Sequence, residues 1–282
     1  QASWQDAFDA IVKAARQGGE GSIAAVAGDL VDCETMFAAK RLLAELGSDK
    51  LEGRQTGLDY DCSSLAGIAF NSTFAGIETA DAILIVGSQV RHEAPLINVR
   101  LRKAAKRGAK IFLIGPEWDT TFACEFLGED AGLLHDLPGH VADAFKDAAR
   151  PAIIVGPGGL AANALHPALV LASEWNLARD IDGEAWNGFN VIHTAAARMG
   201  AVMLGYAQKG GIKDVIDAAP AVLLSLGADS LDYSKFENSL KVYIGHHGDA
   251  GAHAADIILP AASYAEKDGT YVNTEGRVQF AE

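Results

Sequence analysis

AILIVGSQVRHEAPLINVRLRKAAKRGAKIFLIG, residues 82–115, carries the repeating unit from which the fold is read. Residues 82–86 form a continuous apolar run stopped by Gly87, the pattern of a strand buried on both faces. Residues 94–107 follow with helical spacing. Leu96, Val99, Leu101 and Ala105 are expected inward, while Arg100, Arg102, Lys103, Lys106 and Arg107 face outward as a solvated or docking surface. Gly108 ends that helix, and residues 109–114 make a second apolar run that closes on Gly115. The same cadence returns at 221–227 and 241–245, and shorter apolar runs occur at 23–27, 152–155 and 257–259. Strands that end in glycine and alternate with helices imply parallel sheets. The expected fold class is α/β, with two related parallel-sheet units rather than one continuous sheet.

Helices frame these runs. Ser3 is a plausible N-cap for residues 4–16, where Trp4, Phe8, Ile11, Val12 and Ala15 share one face and Gly18-Gly19 ends the helix. A second helix is expected from Cys33 to Leu46, with Met36, Phe37, Leu42 and Leu43 apolar. Others are expected near 139–149 and 164–174. Residues 49–60 are polar and read as a connection.

At 282 residues, 49% of them hydrophobic, the chain can build a substantial core. It carries 23 Lys and Arg against 37 Asp and Glu, a net charge of -14. That balance disfavours nucleic acid and anionic membrane surfaces as partners. No apolar run approaches the ~20 residues that span a bilayer. The first residues show no basic-then-apolar pattern of a signal peptide. No Met begins the chain, so both ends read as cuts in a longer polypeptide. Cys33, Cys62 and Cys124 are too scattered to supply the thiolates of an iron–sulfur cluster or a zinc site, and no metal is expected here.

Gly156-Pro157-Gly158-Gly159-Leu160-Ala161 formally matches a dinucleotide fingerprint, with Glu174 about 20 residues on. Glu174 falls inside a helix, so a structural glycine turn is the stronger reading. His246, His247, His253 and Asp256 are the densest set of metal-ligand types, but adjacent histidines diverge and a loop is the simpler account. His92, His135, His140, His166 and His193 have no spaced partners. No nucleophile elbow is present. Glu266 and Glu275 form a carboxylate pair only if folding brings them together.

ADIILPAASYAEKDGTYVNTEGRVQ, residues 255–279, begins as a short apolar run expected to be a buried parallel strand and continues as a polar loop punctuated by Asp268-Gly269 and Glu275-Gly276. This stretch resembles the molybdopterin-dependent oxidoreductases, in which an "AD-apolar-LP" strand leads into "GT-x-x-N-x-EGR-x-Q". Residues 70–81 and 91–103, with Asn187-Gly188-Phe189-Asn190 and residues 195–200, resemble more narrowly the large iron–sulfur subunit of the proton-pumping NADH:quinone oxidoreductase, respiratory complex I. The likeness covers nearly the whole chain. It implies two Rossmann-like domains, one inserted in the other: 1–58 with 190–282, and 59–189 as the insert.

Catalytic members of that superfamily place a metal ligand in a segment resembling "R-x-C-H". Here the corresponding residues are Asp59-Tyr60-Asp61-Cys62-Ser63-Ser64. Gly115-Pro116-Glu117 stands where they have Asp-Pro-Arg, and Pro138-Gly139-His140-Val141 lacks the acid expected to hold a guanine. Glu117 would repel a pterin dinucleotide. The resemblance therefore implies a cofactor-free structural portion with no catalytic residues. Thr270, Asn273, Glu275 and Arg277 are vestigial positions of a pterin loop, and molybdopterin is not expected. A catalytic, formate dehydrogenase-like domain is the alternative. By the same resemblance, the parent chain carries 2Fe–2S and 4Fe–4S clusters. It would act with other subunits of complex I in a peripheral arm on the cytoplasmic side of the bacterial inner membrane, or on the mitochondrial matrix side.

Overall fold

The computed structural model describes residues 1–282. From residue 1 to 59 the chain forms α1 (Trp4–Gly18), β1 (Ile23–Ala27), α2 (Cys33–Glu45) and β2 (Leu51–Glu52). Next come β3 (Ala82–Val86), α3 (Val90–Glu93), α4 (Pro95–Lys106), β4 (Lys110–Ile114), β5 (Glu125–Gly128), α5 (Gly139–Asp147) and β6 (Pro151–Val155). They are followed by α6 (Pro157–Ala161), α7 (Leu165–Glu174), β7 (Ala178–Ile181), β8 (Glu184–Asn187) and β9 (Phe189–Val191). The last stretch holds α8 (Arg198–Leu204), α9 (Ile212–Asp217), β10 (Val222–Leu226), β11 (Leu240–Gly245), α10 (Ala250–Ala254) and β12 (Ile257–Pro260), then β13 (Gly269–Val272) and β14 (Val278–Ala281). Two compact units result. The first comprises residues 1–59, 195–273 and 277–282; the second comprises 60–194 together with Thr274–Gly276. No helix is long and apolar enough to cross a membrane.

The first unit is a five-stranded parallel sheet in the order β12-β11-β10-β1-β2. Strand side chains alternate between faces, so Ile23, Ala25 and Ala27 pack with Met36, Leu43 and Tyr206 on one side. Ala24 and Val26 pack with Val215, Leu231 and Phe236 on the other. Ser3 caps α1 in a reciprocal box with Asp6, and Asp32 caps α2 by accepting from the Thr35 amide. At the β2 edge, Glu52 and Arg54 are fully buried yet satisfied. Glu52 Oε1 accepts from Arg54 Nε at 2.9 Å and its Oε2 from Gln208 N at 2.9 Å. Such a pair specifies one geometry for the edge more than it adds stability. The expected buried strand at 256–259 is parallel but occupies the opposite edge, so Ile258 is 54% exposed. Ile257 and Leu259 turn to the face that carries Met36 and Leu43, while Ile258 turns to the other face, which nothing covers at this edge.

The second unit is also a five-stranded sheet, β5-β4-β3-β6-β9, all parallel, with β7–β8 as a separate antiparallel hairpin. Its core gathers Ile83, Ile85, Ile97, Leu101, Ile111 and Ile154. The stripe expected on α4 is out of phase. Ile97, Asn98, Leu101 and Ala104 are buried, whereas Leu96 and Val99 are exposed. Pro95 starts α4 afresh after the short α3, and 97, 101 and 104 then make the i, i+4, i+7 face. The basic face is not simply solvated. Arg100, Lys103 and Arg107 all reach the Glu78 carboxylate, at 2.6, 3.3 and 2.8 Å. Those cations, Arg100 foremost, hold the Glu78 carboxyl below its usual range against the cost of desolvation.

Glycine is needed where β3 ends. Gly87 has φ +59°, and a Cβ there would lie 2.0 Å from the Gly159 amide nitrogen. Replacing Gly87 with Ala is expected to cost about 3 kcal/mol or more in urea unfolding, because backbone must move. Gly108 also has positive φ but nothing near it, so Gly108→Ala should cost only about 1 kcal/mol. Equal losses would show that conformation alone, and not the contact, sets the requirement.

Candidate functional site

In an open α/β sheet the ligand crevice lies beyond the strand carboxyl ends, where successive connections leave in opposite directions. In the first sheet that point is between β1 and β10. Their ends touch: a Cβ on Gly28 would lie 1.9 Å from the Gly227 carbonyl oxygen. Beyond them opens a cleft of about 400 Å³, with Asp29, Asp229, Asp249, His246, His247 and Lys267 among its lining residues.

Local bonds fix most of these charges. Buried Gln55 donates to Asp29 Oδ1 at 3.0 Å and accepts from the Ser230 amide at 3.0 Å, tying the exits of β2 and β10 together. Asp229 accepts from the Tyr243 hydroxyl and from the Gly251 amide, each at 3.0 Å. Burial, reinforced by Asp229, pushes the Tyr243 hydroxyl well above its ordinary value, so it stays a donor. Lys267 is the only lysine or arginine lining the cleft, and it is paired with buried Asp32. Burial opposes ionisation of Asp32, but its hydrogen bonds with Lys267 and Thr35 outweigh that cost and hold its carboxyl below the usual range. Arg198 is buried with Nη2 3.8 Å from Asp29 and Nη1 without a hydrogen-bond partner; it is not among the residues facing the cleft.

A pterin dinucleotide carries a pyrophosphate and asks for cations and free amides. This cleft offers three aspartates and one lysine whose charge is already used. The residues present do not fit that group.

The end of the chain read as a polar loop is mostly a hairpin, β13–β14, with Glu275-Gly276 in its turn. Thr270 donates its amide to Glu34 Oε2 at 2.9 Å and its hydroxyl to Glu34 Oε1 at 2.5 Å. Asn273 Oδ1 accepts from the Arg277 amide at 2.9 Å. Glu275 belongs to the second unit, where its Oε1 accepts from the Phe74 amide at 2.6 Å while the Thr274 hydroxyl donates to the Val191 carbonyl at 2.7 Å. The four positions therefore do not act as one constellation: Thr270, Asn273 and Arg277 serve the hairpin, and Glu275 serves a backbone turn in the other unit. Glu266 accepts from the Ser263 amide, so it too is engaged locally.

In the second unit the equivalent point lies between β3 and β6. The fingerprint glycines are spent on packing. Gly159 donates its amide to the Gly87 carbonyl at 3.2 Å, and Cβ atoms on Gly156 or Gly158 would meet Ser88 or Gly87 within 3 Å. Backbone fills the space a pyrophosphate would need, and the glycine turn is structural. Elsewhere in this unit, Cys62 points its thiol at the Tyr60 carbonyl, Glu117 is exposed, and His140 sits 2.8 Å from Glu125. His246 and His247 pack edge to face, while Asp256 pairs with Lys241 at 3.0 Å. No three His, Cys, Asp or Glu side chains are gathered as a metal site.

Sequence reasoning missed Asp32, Glu34, Lys267 and Tyr243. The Asp-x-x-Thr of 32–35 is a legible cap, but its pairing with residues some 235 positions later is not.

The chain belongs to the molybdopterin oxidoreductase family, whose sequence profile matches residues 1–282 throughout. Within that class, it is 36% identical over 293 residues to an NADH-quinone oxidoreductase subunit of Rickettsia prowazekii, covering 100% of this chain and 42% of that protein. It is 39% identical to the mitochondrial NADH-ubiquinone oxidoreductase 78 kDa subunit of Neurospora crassa, covering 99% and 39%. The chain thus spans less than half the length of these relatives. A chain from the formyltransferase/hydrolase complex of Methylorubrum extorquens, solved with methylofuran, superposes with a TM-score of 0.68 at 17% identity, covering 100% of this chain and 91% of that one. That likeness is one of fold.

The Thr270–Glu34 contact makes a measurable claim. The Thr270 hydroxyl foremost, and its amide, hold the Glu34 carboxyl below 4.5, as Asp32 is held below 3.8. Folded values below unfolded ones mean that these contacts stabilise fully above the ordinary carboxyl range and are lost as pH falls through the folded values. Glu34→Gln should speed amide exchange at 270–272 about fivefold near neutral pH. The gap from the parent protein should close as pH falls through the folded Glu34 value, below its ordinary 4.5. Unchanged exchange at neutral pH would show that the hairpin does not lean on Glu34.

Proposed function

We propose that this chain is a cofactor-free structural portion of the large iron–sulfur subunit of NADH:quinone oxidoreductase. The observation that carries the reading is the charge at the first sheet's crevice, where the one lining lysine is neutralised by Asp32 and three aspartates remain. The names and identities of the Rickettsia and Neurospora relatives support the parentage and disfavour a formate dehydrogenase-like enzyme.

On this reading the parent complex passes electrons from NADH to quinone and couples that flow to proton pumping. Its 2Fe–2S and 4Fe–4S clusters lie elsewhere in the polypeptide, and residues 1–282 hold neither molybdopterin nor metal. The two compact units are two domains, one inserted in the other. Thr270, Asn273, Glu275 and Arg277 keep the family's loop pattern for structural reasons, and the chain has no catalytic residues. The partners are sibling subunits of the peripheral arm, on the cytoplasmic or matrix side of the membrane.

The test uses the full-length polypeptide purified without oxygen. Metal mass spectrometry should find iron but only background molybdenum and tungsten, and acid oxidation should release no fluorescent pterin. Stoichiometric pterin or molybdenum would overturn the reading.

A further inference from the structure

Two amphipathic helices on one face of the first sheet leave a furrow between them. α1 has no buried residue; Ile11 and Ala15 are partly covered by the sheet core, while Trp4, Phe8 and Val12 stay 53, 47 and 45% exposed. Across from them stand Leu42 of α2 and Leu46 at its C-cap, also more than 40% exposed. The groove measures about 770 Å³ and reaches the sheet itself at Ile23, Leu224, Ile244 and Leu259. Of its fourteen lining residues only Arg16, Glu20 and Ser22 are polar.

Parallel sheets are covered on both faces. The opposite face of this sheet is closed by Val215, Leu231 and Phe236. On the furrowed face the floor is largely covered, but the apolar walls Phe8, Val12, Leu42 and Leu46 each stay more than 40% exposed, an apolar exposure of the kind that marks a contact surface. Transient interfaces are about as polar as the rest of a protein surface, whereas permanent ones resemble a core cut open. The lining is of the second kind. More than half of each relative's length lies outside the part this chain matches. A segment of the same polypeptide reaches the groove at high effective concentration and without the translational cost of a separate partner.

We propose that in the full-length protein the groove between α1 and α2 is covered by an apolar-faced segment of the same polypeptide lying outside residues 1–282. This does not depend on the cofactor reading. The test places a photo-crosslinking benzoylphenylalanine at Phe8 of the full-length protein and identifies the joined peptides by mass spectrometry. A peptide of the same chain outside 1–282 is expected; a second copy, a different protein or solvent adducts alone would overturn the proposal. Independently, Val12→Cys and Lys13→Cys place thiols on the apolar and polar sides of α1. In the full-length protein maleimide should label Val12→Cys at least tenfold more slowly than Lys13→Cys, read peptide by peptide. Equal rates would show an open groove and overturn the proposal.

Discussion

Backbone pressed on backbone at the strand ends is the constraint from which the rest of each unit follows. Strands 4.8 Å apart leave no room for side chains where two chains turn away from each other in opposite directions. Gly28 meets Gly227 in one sheet, and Gly87 meets Gly158 and Gly159 in the other. What lies beyond them differs. In the first unit the chains diverge and leave an acidic cleft; in the second, a helix of five residues starts directly on the contact and uses the amides that a ligand would want. The same fold logic thus yields one crevice of unsuitable charge and one with no room.

The acidic cleft is built, and not a chance accumulation of surface carboxylates. Asp29 and Asp229 each hold a bond that fixes the sheet's exit loops, through Gln55 and Tyr243. A carboxylate that carries structure cannot be neutralised cheaply to admit an anion. The clamp on Glu78 by three cations of α4 is the counterpart in the second unit. In both places charge is committed to architecture.

Legibility followed the length and isolation of each signal. Apolar runs closed by glycine gave β1, β3, β4, β6, β10 and β11 because a largely apolar run and a turn leave little else to form. β2, β5, β7, β8 and β9 have two to four residues each and no run to announce them. Asp268-Gly269 and Glu275-Gly276 suggested a loop, yet the second is a hairpin turn between β13 and β14, whose strands are too short and too polar to show alternation. The α4 phase slipped because Pro95 restarts the helix. An apolar run cannot say whether it lies at a sheet's centre or edge, and so β12 was misplaced. Of the site, Thr270 and Glu275 were named but not their partners Glu34 and the Phe74 amide, which reach them across most of the chain, and Lys267 with its partner Asp32 went unnamed for the same reason.

The register of β1 against β10 also governs the order of events during synthesis. Ile23 pairs with Val222, so the first strand leaves the ribosome about 200 residues before its neighbour. At 5–20 residues per second that is roughly 10–40 s. Nearly all of the second unit, residues 60–194, is contiguous and complete within that interval. It can close on itself while β1, wholly apolar and destined for the centre of a sheet, waits with β2 alone beside it. Early closure of the intervening block brings residue 59 toward residue 195 and shortens the loop that β10 must close to find β1. The contiguous block 60–194 is in that sense a folding aid for the unit whose segments precede and follow it in sequence, and the exposed β1 is the place where a slow or interrupted translation would expose the protein to misassociation.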